Sequence, residues 1–359
     1  MKVAHINAGN EYGGGLVHIV SLLKELKDKQ CDLIVLEEGP VSKAARQEGI
    51  PVHVFQQANR YDLTVLVRVI RFLKKKAYTH IHTHGPRANT LAYMMHRFIS
   101  VTWITTIHSH PSLDFKDNGI KGRVFEHVNK RSITKADGVI AVSNEIKESI
   151  ERLGIPESRI YVINNGITFS EPLKGEKEQP DFTLLTIGRL HPVKGYPYLI
   201  EALKTFPYPN WQWLVCGEGE EEKALKQLCK ESSIASQVSF LGWLPSEEVK
   251  MVASDSHVFV HPSLSESFPL VILEAAEQEL PVIATDVGDV KEIIRDDTMG
   301  WLIQPKNAAD LRKALIEAYE LWQNNQLKEK GIVLRQWAEQ FSLSQQAEHV
   351  LDVYKEMKK

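Results

Sequence analysis

The stretch Val258-Phe-Val-His261-Pro-Ser263-Leu-Ser-Glu266-Ser267-Phe268-Pro269-Leu270-Val-Ile-Leu-Glu274 runs from a short β-branched segment, through a polar loop, into helix formers. Residues 258–261 read as a buried strand. A helix is expected over 268–277, with Pro269 in its first turn, where a missing N–H costs little. Residues 282–285 then read as the next strand. A connection this long between two strands implies parallel pairing. The unpaired amides at Ser267, Phe268 and Leu270 would mark a helix N-terminus, a ready site for a diphosphate. Glu266 stands just before it and Glu274 about two turns later. An acid beside a phosphate site makes sense when it grips hydroxyls, such as those of a sugar and a ribose. Ordinary acidic residues on a surface helix are the plain alternative.

The same alternation extends outward. Downstream come a helix at 308–323 and a helical region at 344–357. Upstream, strands at 238–241, 211–216 and 183–187 alternate with helices at 246–254, 221–231 and 197–205. Residues 170–181, with two prolines, a glycine and mostly charged side chains, read as a linker. Before it, strands at 3–7, 31–36, 52–55, 80–83, 101–107, 137–142 and 161–163 alternate with helices at 16–26, 42–48, 63–75 and 144–153. The expected fold class is α/β: two Rossmann-like, doubly wound domains, 1–170 and 182–343, facing a central cleft. A last helix, 344–359, is expected to pack back on the first domain. Ligands of such sheets bind outside the carboxyl ends of the strands.

The 359 residues suffice for two domains, and 43% hydrophobic with 25% charged residues is ordinary for a globular chain. Cys31, Cys216 and Cys229 are scattered and form no CxxC, which points to reduced thiols and no structural zinc. The N-terminus does not read as a signal peptide, and no apolar run approaches the roughly 18–20 residues that span a bilayer. The expected location is cytoplasmic, compatible with resting on the inner face of a membrane. Residues 1–170 carry 23 Lys+Arg against 16 Asp+Glu; residues 171–359 carry 20 against 30. Within the basic half, Arg68, Arg71 and Lys74-Lys75-Lys76 share the helix expected at 63–76 with Val65, Leu66, Val69, Ile70, Phe72 and Leu73. That helix reads either as a membrane-surface element on anionic lipid or as a core-packed helix with a solvated basic edge. Nucleic acid is not expected, because no aromatics interleave the basic residues and the net charge is −3.

Other motifs carry chemistry. Gly188-Arg189-Leu190-His-Pro-Val-Lys194-Gly195 follows a strand, and its two cations can reach one diphosphate, Arg as a planar fork and Lys as a point charge. Cations there stabilise a departing phosphate. A solvated loop with two exposed charges is the alternative. Gly13-Gly14-Gly15, between the first strand and helix, lets backbone approach a ligand. It matches neither GxGxxG nor a Walker loop, although Glu37 or Glu38 after the second strand keeps a dinucleotide-binding oxidoreductase open. His108 follows a buried strand and is placed to orient a hydroxyl; a buried structural histidine is the rival reading. His108 with His110, and His82 with His84, have spacings a metal can use, but no carboxylate or Cys accompanies them, and no metal site is expected. Gly217-Glu218-Gly219 and Gly242-Trp243 wall a base pocket or are plain turns.

Taken together and in this order, these motifs resemble glycosyltransferase family 4, the group 1 retaining transferases of GT-B fold. Glu266 and Glu274 resemble its E-x7-E motif, Gly188 to Gly195 its G-R-L-x-x-x-K-G loop, Asn165-Gly166-Ile167 its N-G-V-D turn, and Gly217 to Gly219 its G-x-G turn. The resemblance implies a nucleotide-sugar donor, UDP-linked above others, and a sugar or lipid-linked acceptor in envelope polysaccharide or glycolipid synthesis. It implies that Arg189 and Lys194 hold the diphosphate, that Glu266 faces the donor sugar, and that Glu274 holds the ribose. Gly188, Gly217, Ser267, Phe268, Pro269 and Leu270 would help bind the donor. Gly14 and Gly15 would let a loop close over it, and His108 would sit near the reacting face. The residues around 170–181 would hinge the two domains. With no Asp-x-Asp motif, a front-face, metal-independent mechanism without cofactor is implied. Ser267 and Pro269 stand where the family often has Gly, and Thr168 replaces the usual Asp. A non-catalytic scaffold of the same fold, or a nucleotide-sugar epimerase, remains the alternative.

Overall fold

The computed structural model describes residues 1–57, 62, 64–109, 119–173 and 180–357. The chain forms two compact units: Met1–Asn165 with Leu343–Lys359, and Gly166–Ser342. The change of unit thus falls just ahead of the linker read at 170.

The first unit is built on a seven-stranded parallel sheet. Its strands are β1 (Val3–Asn7), β2 (Cys31–Val35), β3 (Val52–Val54), β4 (His80–His84), β5 (Thr102–Ile107), β6 (Gly138–Ala141) and β7 (Ile160–Val162), in the order β3-β2-β1-β4-β5-β6-β7. The helices between them are α1 (Gly14–Glu25), α2 (Pro40–Gln47), α3 (Thr64–Lys75), α4 (Pro86–Met95), α5 (Gly119–Ile133) and α6 (Asn144–Glu151). Alternate strand residues go to opposite faces: Ala4, Ile6, Ile81 and Trp103 join one buried cluster, whereas Val3, Leu33 and Ile104 join another with α1. The last helix, α14 (Leu343–Glu356), covers that second face and buries Val350, Val353 and Tyr354.

The second unit has a six-stranded sheet: β8 (Phe182–Ile187), β9 (Trp211–Cys216), β10 (Val238–Gly242), β11 (Val258–His261), β12 (Val282–Thr285) and β13 (Gly300–Ile303), ordered β10-β9-β8-β11-β12-β13. All its pairs are parallel. The helices are α7 (Tyr196–Lys204), α8 (Glu222–Glu231), α9 (Ser246–Ser254), α10 (Leu270–Glu277), α11 (Val290–Ile293), α12 (Ala308–Gln323) and α13 (Leu327–Ala338). In each sheet the strand order reverses beside the first strand, between β1 and β4 and between β8 and β11. Such a switch point opens a crevice at the carboxyl ends of the two strands.

The hydrophobic pattern missed α4, α5, α11, β13 and α13. Helix α4 buries Ala88, Asn89 and Ala92 beside Leu91 and Met95, so small and polar residues dilute the apolar stripe. Helix α5 buries Asn129 and Ser132 beside Ile133 while Val124 and Phe125 face out, which blurs the usual apolar stripe. Gly331 interrupts the reading of α13; a Cβ there would lie 1.8 Å from the Glu279 carbonyl oxygen, so the helix packs on bare backbone. In α3, Val65, Val69 and Leu73 are packed in the core, while the basic edge, with Arg71, Lys74 and Lys75, is exposed together with Val67. Helix α3 thus packs its apolar side into the core of the first unit, as one of the two readings expects. No helix among the described residues is long and apolar enough to cross a membrane.

Candidate functional site

The switch point of the second unit brings the two expected loops together. Gly188, at φ 150°, follows β8 and opens the loop that ends at Gly195. His261 ends β11 and opens the loop to α10. These loops touch through backbone: Leu264 N–H donates to the Val193 carbonyl at 2.7 Å, and a Cβ on Gly195 would lie 2.1 Å from the Pro262 carbonyl oxygen. Gly195 also sits at φ 66°, in the left-handed region. A Cβ on Gly217 would lie 2.0 Å from the Gly188 carbonyl oxygen, so Gly217 packs the β9 loop against the β8 loop.

That contact aligns Lys194 with Glu266. Glu266 Oε1 accepts from Lys194 Nζ at 2.5 Å, from Ser263 Oγ at 2.7 Å and from His261 Nε2 at 3.0 Å. Its second oxygen has no partner among the described residues. Burial by itself pushes this carboxyl up, but the hydrogen bonds from His261 and Lys194, with the positive charge of Lys194, outweigh it and hold Glu266 down at about 2. Burial favours neutral His261, so the imidazole serves as an N–H donor. His261 and Ser263 had no role in the sequence reading; their signal was only their place five and three residues before Glu266.

Helix α10 starts at Leu270, with Pro269 as its N-cap, two residues later than the sequence suggests. Pro269 lacks an N–H and holds an extended conformation, so the helical backbone begins after it. Phe268 is buried and packs edge-on against Phe341. The amides of Ser267 and Phe268 donate to no backbone acceptor among the described residues. Glu274 is half-buried and makes no hydrogen bond or ion pair among the described residues. Burial raises its pKa, with the nearby Glu277 adding to the shift.

Arg189 is not brought to this cluster. It is exposed and pairs with Glu220 at 3.1 Å. At the far end of α10, Glu277, 1% exposed, accepts from Ser170 N–H at 2.9 Å, Ser170 Oγ at 2.6 Å and Lys250 Nζ at 3.1 Å. Gln278 accepts from Leu173 N–H at 3.0 Å. The described start of the expected hinge is thus tied down to α10; residues 174–179 lie outside the described residues. A cavity lined by Asp296, Trp301, Asp310 and Glu317 shares no residue with the Lys194–Glu266 cluster.

In the first unit, Gly14 and Gly15 begin α1, capped by Gly13 at φ 66°. A Cβ on Gly14 would meet nothing within 4 Å, so no clash within the chain demands glycine there. Glu37 and Glu38 form ion pairs with Arg87 and Arg46. Because β4 runs through His84, alternation turns His80, His82 and His84 to one face, together with His5 on β1. His18 on α1 and His108 after β5 join them. Two triples, His5-His82-His84 and His18-His84-His108, have ring nitrogens within 4.8 Å of one another, a spacing a metal ion can use. Most of those nitrogens are already hydrogen-bonded inside the protein. Burial pushes His5 down to about 3 and His18 to about 4, and holds His82, His84 and His108 well below the ordinary value. His110 lies outside the described residues.

Residues 12–171 match the family described as Glycosyltransferase Family 4, and residues 170–332 match Glycosyl transferases group 1. The chain belongs to the group 1, family 4 glycosyltransferases. Relatives match it over most or nearly all of its length. An uncharacterized glycosyltransferase of Methanocaldococcus jannaschii is 28% identical over 99% of both chains. The Escherichia coli UDP-Gal:alpha-D-GlcNAc-diphosphoundecaprenol alpha-1,3-galactosyltransferase is 26% identical over 88% of this chain and 87% of its own. Among solved structures, Anabaena Alr3699/HepE, in complex with UDP, has a TM-score of 0.83 at 19% identity, covering 99% of this chain and all of that one. The fold of this glycosyltransferase is GT-B, and its activity is glycosyl transfer in glycan or glycolipid synthesis.

Proposed function

We propose that this glycosyltransferase moves a sugar from UDP-sugar to an acceptor hydroxyl with retention at the anomeric carbon, and that it does so without a metal ion or other cofactor. The observation that carries the proposal is the state of Glu266: ionised, pinned through one oxygen by Lys194, His261 and Ser263, with the other oxygen free to accept from sugar hydroxyls. Lys194 has three N–H donors and can hold Glu266 and a β-phosphate at once. The unpaired amides at Ser267 and Phe268 add donors at the N-terminus of α10. Arg189 reaches the diphosphate by leaving Glu220, a surface pair whose loss costs about 0–1 kcal/mol. Lys194 and Arg189 then supply the charge that a metal supplies elsewhere, and they stabilise the departing phosphate. Glu274, half-buried and without a hydrogen-bond or ion-pair partner among the described residues, is suited to the two ribose hydroxyls. UDP is favoured because the Anabaena protein was solved with UDP and the Escherichia coli relative is named for UDP-galactose.

With no nucleophile identified for a double displacement, the leaving phosphate oxygen takes the acceptor proton on the same face. The acceptor is a sugar or lipid-linked sugar. The exposed basic edge of α3 suits electrostatic contact with an anionic inner membrane face, without insertion.

The test is a thermal-shift screen against UDP-, GDP- and ADP-sugars with chelator present, followed by transfer assays. UDP-sugars are expected to raise the melting temperature. Lys194→Ala is expected to lower kcat by about 10²–10³, and Glu274→Ala to weaken UDP binding with kcat less affected. A shift confined to GDP- or ADP-sugars, or activity abolished by chelator, overturns the donor or the metal-free step respectively.

A further inference from the structure

One face of the first sheet carries a continuous chain of hydrogen bonds between side chains. Thr106 Oγ1 lies 2.7 Å from His82 Nε2, and His82 Nδ1 lies 2.5 Å from the Tyr354 hydroxyl. The hydroxyl lies 3.1 Å from His5 Nε2, His5 Nδ1 lies 3.0 Å from His84 Nε2, and His84 Nδ1 lies 3.4 Å from His108 Nε2. Both ring nitrogens of His5, His82 and His84 are used. His5, His82 and His84 are fully buried. The chain joins β1, β4, β5 and α14 and ends at His108, whose Nδ1 has no partner among the described residues.

Buried and neutral, each ring carries one N–H, so each must donate through one nitrogen and accept through the other. The chain therefore has only two consistent polarities, and Tyr354 decides between them. Its single O–H can go to His82 or to His5. Hydroxyl donors make shorter bonds than ring N–H donors, and the contact to His82 is shorter by 0.6 Å. Burial keeps the Tyr354 proton on its oxygen. Tyr354 thus donates to His82 Nδ1, and His82 passes its Nε2–H to Thr106. On the other side His5 Nε2–H donates to the Tyr354 oxygen, His84 Nε2–H to His5 Nδ1, and His108 Nε2–H to His84 Nδ1.

We propose that this chain fixes His108 as its Nε2–H tautomer, so that the lone pair of Nδ1 is presented to accept a hydrogen bond from a substrate hydroxyl. Thr106, His82, Tyr354, His5 and His84 are positioning residues; only His108 touches substrate. The tautomer follows from the chain alone, while the link to substrate rests on the transferase reading above.

The polarity can be reversed from its far end. Thr106→Val removes the acceptor for His82 Nε2–H. His82 then keeps its proton on Nδ1 and donates to Tyr354, Tyr354 donates to His5, and every ring downstream changes tautomer. Thr106→Ser keeps the hydroxyl and the original polarity. The experiment is nitrogen-15 NMR of histidine-labelled protein near pH 7. Wild type and Thr106→Ser are expected to show His5, His82, His84 and His108 all as Nε2–H tautomers, and Thr106→Val to show His108 as Nδ1–H. With UDP-glucose, or whichever sugar nucleotide is turned over, Thr106→Val is expected to lose about tenfold in kcat, the worth of one hydrogen bond, with KM little changed and Thr106→Ser near wild type. An Nδ1–H tautomer at His108 in wild type overturns the proposal even if Thr106→Val fails to fold. A correct tautomer with unchanged kcat in Thr106→Val keeps the chain and removes its role in transfer. Absence of transfer from UDP-sugars in wild type removes the proposed donor and leaves the tautomer result standing.

Discussion

Glu266 draws three donors onto one oxygen, and that arrangement has a pH signature. Its side chain is 15% exposed, and its pKa stands at about 2 against an ordinary 4.5. The difference corresponds to about 3 kcal/mol of native stability. Because the folded value is the lower one, this stabilisation is complete above about pH 4.5 and is lost as the pH falls through about 2. Glu266→Gln is expected to remove it. Urea unfolding at pH 7 and pH 3 measures this: wild type should lose more stability between the two than the Gln variant, and equal losses would rule the assignment out. At this scale the sequence singled out Glu266, Glu274 and Lys194 by acid and cation at fixed spacing around strand–helix turns, and the structure brings Lys194 to Glu266. It did not reveal His261 and Ser263 as partners of Glu266, since the contact depends on how the β11 loop folds back. Nor did it separate Arg189 from Lys194, since an exposed arginine takes whichever acid lies within reach, here Glu220.

At the scale of elements, the glycines divide into two kinds. Gly195 combines a left-handed φ with a carbonyl oxygen where its Cβ would go. Gly195→Ala is expected to destabilise the second unit by about 2 kcal/mol or more. Gly14 meets nothing within the chain, so Gly14→Ala should leave melting unchanged and, if donor phosphate approaches it, weaken donor binding. Thermal unfolding and nucleotide titration of the two variants separate packing from ligand approach; strong destabilisation by Gly14→Ala would contradict this division. The main strands of both sheets were legible because fully buried parallel strands are continuous apolar runs. Helix α5 was not, because its buried face carries Asn129 and Ser132 beside Ile133, while Val124 and Phe125 face outward. The histidine chain was hidden for a related reason: the spacing in β4 shows that His80, His82 and His84 share a face, but nothing local shows that His5 and Tyr354, 349 residues apart, meet there.

At the scale of the molecule, the two units differ in how the chain composes them. The second is a single stretch, Gly166–Ser342, whereas the first needs both the start and the end of the chain. Helix α14 gives the first unit Val350, Val353 and Tyr354, and the Thr102 hydroxyl donates to the Met357 carbonyl at 3.0 Å. Ending the chain at Ser342 is expected to destabilise the first unit by about 3–5 kcal/mol, the scale of losing one large buried aromatic, while the second unit keeps its melting transition. Calorimetry of full-length and shortened protein checks this; an unchanged first transition would mean that α14 covers the sheet without supporting it. The same chain order governs manufacture. A ribosome adding about 5–20 residues per second delivers β1–β7 early, then spends on the order of ten seconds or more making the whole of the second unit before α14 exists. The first unit to be synthesised is therefore the last that can finish folding, and during that interval its His5–His82 face waits uncovered, a window in which a chaperone has something to hold.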